Sequence, residues 1–339
     1  MIRFIALLLL ATVLWFAWAL AAPVAPAQPQ VLLFPLGSSS KAIAAGLQRA
    51  GVVRSGFAFD LLHYAMPEKK LKAGEYRFAR AASAVEVFQR IARGDVLIRT
   101  VVIPEGYNIF EIAAAIEGAG LGKREDFLAV ATHDTDLLRT IDPQAKSLEG
   151  YLFPDTYGFS RTMNMREMAA AMVKRFQKEA QTLGLTHDVH RIVTLASIVE
   201  KETAAADERA EIAGVYSNRL AKNMALAADP TVVYAALLNG TYRGAIYQSD
   251  LQSESPYNTY KFAGLPPGPI ANPGAASLQA AMQPAQSAYL FFVAAGDGSG
   301  RHHFSTSFEQ HERNVIAYRK ATSASGQSGV LGRVPVKAR

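Results

Sequence analysis

The sequence predicts an α+β fold: an N-terminal transmembrane helix, then small βα modules, then a larger mixed α/β domain. Three observations carry this prediction. A charge-free apolar run lies near the N-terminus, two related segments have a strand–turn–helix pattern, and amphipathic helices alternate with Pro- and Gly-rich loops in the C-terminal half. With 339 residues and 50% hydrophobic content, the chain is long enough for more than one packed core.

Residues 4–22 form the apolar run, and about 20 such residues span a bilayer as a helix. Arg3 precedes the run and no Lys or Arg follows until Lys41, so the positive-inside bias places the N-terminus in the cytoplasm. A cleaved signal peptide is the alternative, because Ala19-Leu20-Ala21 fits a small-x-small cleavage site. Both interpretations place the chain after residue 22 outside the cytoplasm.

The charge balance is mildly basic. The chain has 35 Lys and Arg against 29 Asp and Glu, which gives a net charge of +6. These charges are spread along the chain, which indicates a solvated surface, and we expect no nucleic-acid partner. The sequence contains no cysteine, which excludes disulfides and thiol chemistry.

Two segments, residues 31–52 and 101–121, share one pattern of a β-branched strand, a Pro/Gly turn, an amphipathic helix and a Gly stop. The pattern indicates a duplicated βα module, although chance agreement between common residues is an open alternative. The corresponding residues are Pro35, Gly37, Ile43, Leu47, Ala50 and Gly51 in the first segment and Pro104, Gly106, Ile112, Ile116, Ala119 and Gly120 in the second.

The C-terminal half predicts three helices, a loop-rich stretch and a strand. The helices are expected over residues 165–181, 189–203 and 207–222, followed by loops over 257–274 and a strand over 289–293. The last dozen or so residues are rich in Ser, Gly and Lys, which is typical of disorder.

Several reaction classes lack the residues they need. Seven histidines are present, and His302, His303 and His311 lie close in sequence, but no His-Glu-x-x-His motif or other close ligand spacing occurs. No Gly-x-Ser-x-Gly motif and no Walker-type phosphate loop is found either. We therefore expect neither a metal nor a cofactor.

Carboxylate chemistry is what remains. An apolar helical run over residues 192–199 is followed by Glu200 and Glu202. A glutamate at the polar end of an apolar helix is partly desolvated, which raises its pKa and lets it serve as a general acid. The two glutamates lie on opposite flanks of the apolar face, so helical geometry does not choose between them. Both could also be solvated residues near a helix end.

Other residue types in the C-terminal half suit a sugar ligand. Aromatic rings stack on pyranose faces and amides bind hydroxyls, which makes Tyr257, Asn258 and Tyr260 candidate substrate-binding residues. Asp229 precedes a predicted helix, where it is expected as the N-cap or as a substrate contact. His303, beside an aromatic residue, is a candidate site residue or an ordinary histidine at a strand end.

These segments resemble one known family in their order and spacing, over most of the chain from about residue 30 to 320. The chain resembles the endolytic murein transglycosylases, the YceG-like or MltG family. The matching segments are residues 148–157, 196–203, 218–220, 229–232, 257–260, 264–274, 289–293 and 303–304.

The resemblance implies that Glu202 is the catalytic residue. In the family a single carboxyl protonates the bond between N-acetylmuramic acid (MurNAc) and N-acetylglucosamine (GlcNAc) of peptidoglycan. It then removes a proton from the muramyl 6-hydroxyl, which closes a 1,6-anhydro ring without water. Two alternatives stay open: a water-using hydrolase on the same glycan, and a peptidoglycan-binding scaffold.

The resemblance also implies the organisation and location of the protein. We expect an anchor over residues 1–22, a linker over 23–30, an N-terminal βα subdomain over 31–97, a LysM-like subdomain over 98–160, a catalytic domain over 161–322 and a disordered tail over 323–339. The protein would cross the inner membrane once and face the periplasm. Its expected partners are peptidoglycan strands, the lipid bilayer and peptidoglycan synthases.

The sequence departs from the family at one point. The family usually has a glutamine and a small hydroxyl residue before its Asp-Pro-Thr, and Ala227 and Ala228 stand there in this chain. If that glutamine contacts substrate in relatives, this chain lacks the contact.

Overall fold

A computed structural model describes residues 1–324 as a mixed α/β protein that begins with an apolar helix, which confirms the predicted class at that level. The helices of this part are α1 (Ile2–Ala21), α2 (Ser40–Arg49), α3 (Gly56–Ala65), α4 (Ala84–Arg93), α5 (Ile109–Gly118), α6 (Arg124–His133), α7 (Met165–Leu183), α8 (Val189–Glu202), α9 (Arg209–Ala221), α10 (Asp229–Leu238), α11 (Gln248–Leu251), α12 (Ala275–Met282) and α13 (Phe308–Ala324). The strands are β1 (Gln30–Phe34), β2 (Gly74–Phe78), β3 (Ile98–Ile103), β4 (Asp155–Ser160), β5 (Phe291–Ala294) and β6 (His302–Ser305).

The strands of this part pair two by two, as β1–β2, β3–β4 and β5–β6. The chain divides into two compact units. Unit 1 comprises Met1–Val101, Gly118–Gly122 and Tyr157–Asn164. Unit 2 comprises Val102–Glu117, Lys123–Thr156 and the chain from Met165 onward.

Unit 1 has one hydrophobic core beneath the antiparallel β1–β2 pair. Helix α4 shows how local sequence fixes its elements: Ser83 and Glu86 form a reciprocal capping box at the start, and Gly94 ends the helix at a φ of +81°. Its apolar face joins the core of the unit. Fully buried members of that core include Ile43, Leu47, Phe59, Tyr76, Phe88 and Ile91.

Helix α1 is 20 residues long with a mean hydropathy of 2.4, sufficient in length and composition to cross a membrane. A signal sequence has the same properties. The surface of α1 is exposed from the N-terminus to Trp15. Near its C-terminal end, Ala19 is buried against the rest of unit 1.

Unit 2 is organised around α8. All residues from Ile192 to Val199 are buried, and α8 packs against α9, α10 and α12. Helix α7 begins at Met165 as predicted. Helix α9 begins at Arg209, two residues later than predicted, because residues 206–208 form a 3₁₀ turn.

One capping prediction is wrong. The N-cap of α10 is Ala228, so Asp229 is already the first helical residue and does not cap the helix. At the C-terminus, α13 continues to Ala324, and residues 325–339 of the predicted tail lie outside the described part of the chain.

Candidate active site

Glu202 is the last residue of α8, and Thr203 ends the helix by taking an extended conformation (φ −142°). The Glu202 side chain is partly exposed at the edge of a buried environment. Burial raises its pKa to about 7. The Tyr216 hydroxyl donates to Glu202 Oε1 at 2.7 Å, which opposes that rise. A carboxyl with this pKa is partly protonated at neutral pH and can release that proton to a substrate.

Helix α9 supplies Tyr216 and, one turn later, Arg219. Arg219 Nε donates to the carbonyl of Leu290 at 2.6 Å, and its Nη1 donates to the carbonyl of Leu226 at 2.7 Å. The positive charge of Arg219 lowers the pKa of Glu202. One face of α9 therefore supplies both the hydroxyl of Tyr216 that donates to Glu202 Oε1 and the nearby positive charge of Arg219.

Asp229 and Tyr260 form a second pair beside this cluster. The Tyr260 hydroxyl donates to Asp229 Oδ1 at 2.5 Å. The negative charge of Asp229 raises the pKa of Glu202, and burial together with Asp229 raises the pKa of Tyr260 far above its usual range. The predicted residues Glu202, Asp229 and Tyr260 thus lie in one electrostatic neighbourhood.

Glu200 has a different environment from Glu202. Its Oε2 accepts the backbone N–H of Gly274 at 2.9 Å, and its Oε1 accepts Arg209 at 3.3 Å. Its side chain is 6% exposed. One turn earlier, Ser197 Oγ accepts the backbone N–H of Ile270 at 3.0 Å. Glu200 therefore pins the loop before α12 to helix α8, which is a structural role.

Asn258 holds its own loop together. It is buried, and its Nδ2 donates to the carbonyls of Leu251 and Ser253, both at 2.9 Å. Its Oδ1 accepts the backbone N–H of Tyr260 at 3.1 Å, which orders the residue that reaches Asp229. A direct contact between Asn258 and substrate stays a prediction.

Tyr257 lies beside another carboxylate. Its ring is 5.2 Å from that of Tyr234, and burial and the charge of Glu149 raise its pKa to about 12. Its predicted contact with substrate also stays a prediction.

The β5–β6 hairpin presents different residues on its two faces. Phe292 and Phe304 are paired across the strands, and the Phe292 ring is 5.8 Å from that of Tyr216. His303, paired with Val293, belongs to the other face and is exposed. The face toward Tyr216 is therefore aromatic, and the substrate-binding role of His303 stays a prediction.

His302 and His311 have separate partners. His302 Nδ1 is 2.8 Å from Glu208 Oε2, and His311 stacks on Phe291 with ring centroids 5.3 Å apart. Within residues 1–324, no group of three or more His, Cys, Asp and Glu side chains could hold a metal ion.

Sequence reasoning missed Tyr216 and Arg219 as site residues. The sequence placed Tyr216 only within the helix predicted over residues 207–222. The sequence did hold a signal for Tyr216: its hydroxyl lies on a helix face that is otherwise buried, and a buried hydroxyl needs a hydrogen-bond partner. Arg219 follows it by three residues, on the same face of the helix.

Comparison with known proteins decides the family. The model of the YceG-like family matches residues 33–317. The chain belongs to the YceG-like family. The match includes the end of α8 with Glu202, as well as Tyr216, Asp229 and Tyr260.

Relatives of the chain carry a functional name. An endolytic murein transglycosylase of Bacillus subtilis is 34% identical over 284 residues, which are 78% of this chain and 78% of the relative. One of Streptococcus pneumoniae is 32% identical over 323 residues, 84% of this chain and 57% of the relative. The crystal structure of a putative YceG-like protein of Listeria monocytogenes superposes with a TM-score of 0.55 at 32% identity, covering 84% of this chain and 99% of that one.

Proposed function

We propose that this YceG-like protein is a peptidoglycan lytic transglycosylase that cleaves the MurNAc–GlcNAc bond within glycan strands and so limits their length. The observation that carries the proposal is Glu202: a carboxyl with a pKa of about 7, held through one oxygen by Tyr216 and partly open to solvent. The murein transglycosylase relatives support the substrate.

In the proposed first step, Glu202 donates its proton to the glycosidic oxygen as the bond to the muramyl C1 breaks. Because Tyr216 donates to Oε1, Oε2 is the oxygen left to face the substrate. The negative charge of Asp229 nearby stabilises the positive charge that develops on the sugar ring.

In the second step, the Glu202 carboxylate takes the proton of the muramyl 6-hydroxyl while the oxygen of that hydroxyl attacks C1. The 1,6-anhydro ring closes and Glu202 regains its proton, so the cycle consumes no water. A pKa near neutrality suits both steps, because the same group must first give and then take a proton.

A water-using glycoside hydrolase is the second candidate. Hydrolysis needs a second carboxylate to activate water or attack the sugar, and Asp229 is close enough to Glu202 to raise its pKa. Its Oδ1 already accepts the Tyr260 hydroxyl, which favours an electrostatic role for Asp229.

We further propose that α1 is retained as a single inner-membrane span with the rest of the chain in the periplasm. After Arg3, α1 contains no charged residue, and the position of Arg3 at its cytoplasmic end follows the bias of positive residues, which supports this orientation. The subdomain limits at residues 31–97, 98–160 and 161–322, the LysM-like character of the second subdomain, and contact with peptidoglycan synthases are proposals that rest on the family resemblance.

The test uses purified full-length protein and lipid-linked glycan strands, with strand length measured on gels. The wild type should shorten the strands and Glu202→Gln should not. Glu200→Gln is the matched control, since it removes a carboxylate two residues away from a structural contact and should still shorten them. Equal activity of Glu202→Gln and wild type would contradict the proposal.

A further inference from the structure

Helix α3 of unit 1 carries an apolar stripe on its outer surface. Phe57, Leu61 and Tyr64 are 69%, 47% and 69% exposed. They are spaced i, i+4 and i+7, which places them on one side of the helix. The opposite side contributes Phe59 and Leu62 to the core of the unit. A helix at a water-exposed surface is usually polar on its outer side, so this stripe indicates a contact surface.

The stripe begins beside the apolar helix α1. The rings of Phe16 and Phe57 are 5.9 Å apart, and the Arg54 guanidinium lies 4.4 Å from the Trp18 ring centre. Ala19 is 2% exposed, so the end of α1 is packed on unit 1. These contacts fix the position of α1 relative to α3.

That packing sets the depth of Phe57 in any membrane that α1 crosses. Phe16 precedes the helix end at Ala21 by five residues, about 7.5 Å along the axis. It therefore belongs to the apolar part of the span. Because the rings of Phe16 and Phe57 are only 5.9 Å apart, a bilayer that surrounds α1 at Phe16 also reaches Phe57.

We propose that the outer face of α3, defined by Phe57, Leu61 and Tyr64, is a membrane-contact surface that enters the interfacial layer of the same bilayer. Aromatic side chains with a polar end, such as Tyr64, favour that layer. The exposed Lys69 and Lys70 follow α3 closely, where their ammonium groups can meet lipid phosphates.

The consequence is a two-point attachment of unit 1. A single spanning helix leaves the domain attached to it free to tilt, whereas a second contact on the same domain holds it against the lipid surface. The inference rests on the proposed anchor and is independent of the proposed reaction.

The absence of cysteine from the chain makes single-cysteine labelling clean. Full-length Leu8→Cys, Phe57→Cys, Tyr64→Cys and Leu36→Cys, each carrying an environment-sensitive fluorophore, are reconstituted in phosphatidylcholine–phosphatidylglycerol vesicles with or without nitroxide-labelled acyl chains. Leu8 reports the span. Leu36, 79% exposed in the same unit, is the matched apolar control. All four positions are exposed, so labelling leaves the core intact.

We expect the nitroxide-labelled lipids to quench the fluorophore at positions 57 and 64 almost as strongly as at position 8. The emission at positions 57 and 64 should also be blue-shifted, as at position 8. The fluorophore at position 36 should stay unquenched. Quenching at 8 but not at 57 and 64 would overturn the surface and leave the anchor standing. No quenching at 8 would overturn the anchor and the surface together. Equal quenching at 36 and 57 would indicate unspecific association and would also overturn the surface.

Discussion

Two carboxyls of unit 2, Glu149 and Glu202, both have a pKa raised by burial, but their surroundings differ. Burial raises the pKa of Glu149 to about 8 and that of Glu202 to about 7. Glu149 is 1% exposed, and both of its oxygens are engaged, by the N–H of Ile109 at 3.0 Å and by Asn272 Nδ2 at 2.8 Å. Glu202 is partly exposed and is held through Oε1 alone by Tyr216.

The difference teaches that a raised pKa does not identify a catalytic acid. Glu149 belongs to a clamp: Asn272 also donates to the carbonyl of Tyr107 at 2.9 Å and accepts the N–H of Leu152 at 2.8 Å. The clamp joins three segments far apart in sequence. Glu202, the proposed acid, differs from Glu149 in combining a raised pKa with access to solvent and one oxygen available to a ligand.

The largest expected effect belongs to Glu202→Gln. It should lower the rate of strand cleavage by at least about 10³-fold, because it removes the group proposed as both acid and base. The free energy of unfolding should not fall, since the amide can still accept from Tyr216 and no desolvated carboxylate remains. Cleavage assays and urea unfolding of the same preparation check this, and a large loss of stability would count against a catalytic role.

Glu149→Gln should have the opposite profile. One end of the amide must place a donor against Ile109 N–H or Asn272 Nδ2, which should cost about 1–3 kcal/mol of unfolding free energy. Cleavage per folded molecule should be retained. If Glu149→Gln were stable but inactive, the proposed difference in role between Glu149 and Glu202 would be wrong.

Glu149 also predicts a pH dependence of stability. Its pKa is raised from 4.5 to about 8 on folding, so between these values the folded state binds more protons than the unfolded state. Stability should therefore fall as pH rises through this window. Glu149→Gln should flatten that fall in urea titrations at several pH values, and an unchanged slope would contradict the assignment.

Two variants should move the pH profile of cleavage in opposite directions. Tyr216→Phe removes a hydrogen bond that lowers the pKa of Glu202, so the alkaline loss of activity should shift to higher pH. Asp229→Asn removes a negative charge that raises it, so the shift should be to lower pH. Tyr216→Phe should also slow cleavage by about 10- to 100-fold through misplacement of the carboxyl. Shifts in the same direction would refute this assignment.

The smallest effect is expected at Ala227. Its φ is +49°, and the other non-glycine residues with positive φ within the described residues, Asp188 and Asn223, are of types that tolerate this region. Ala227→Gly should raise the free energy of unfolding by up to about 1 kcal/mol. Ala221→Gly, within α9, should lower it and serves as the control. A loss of stability in Ala227→Gly would contradict the claim that the positive φ of Ala227 destabilises the protein.

The sequence was sufficient for elements whose causes are local. The apolar run before Glu200 predicts α8, and the alternation of helices and loops predicts the mixed α/β class. It could not separate Glu200 from Glu202, because their partners Gly274 and Tyr216 are 74 and 14 residues away in the chain. The family resemblance favours Glu202 over Glu200. The contacts of Glu200 with Gly274 and Arg209 give a physical reason for the same choice, because they already occupy its carboxylate.

Long-range contacts also explain the wrong capping prediction. Asp229 has the residue type of an N-cap, but α10 begins there and the carboxylate accepts from Tyr260, 31 residues away. Asn258 has the residue type of a sugar-binding amide, yet its Nδ2 is occupied by the backbone of its own loop. In both cases the residue type was informative and its partner was decided by the tertiary fold.

The central claim is that one carboxyl, Glu202, cleaves the glycan without water. Cleavage of lipid-linked strands in heavy-oxygen water, followed by mass analysis of the new ends, tests it most directly. The account predicts 1,6-anhydro ends that carry no heavy oxygen. Reducing ends that have gained one heavy oxygen for each bond cleaved would contradict it and identify a hydrolase.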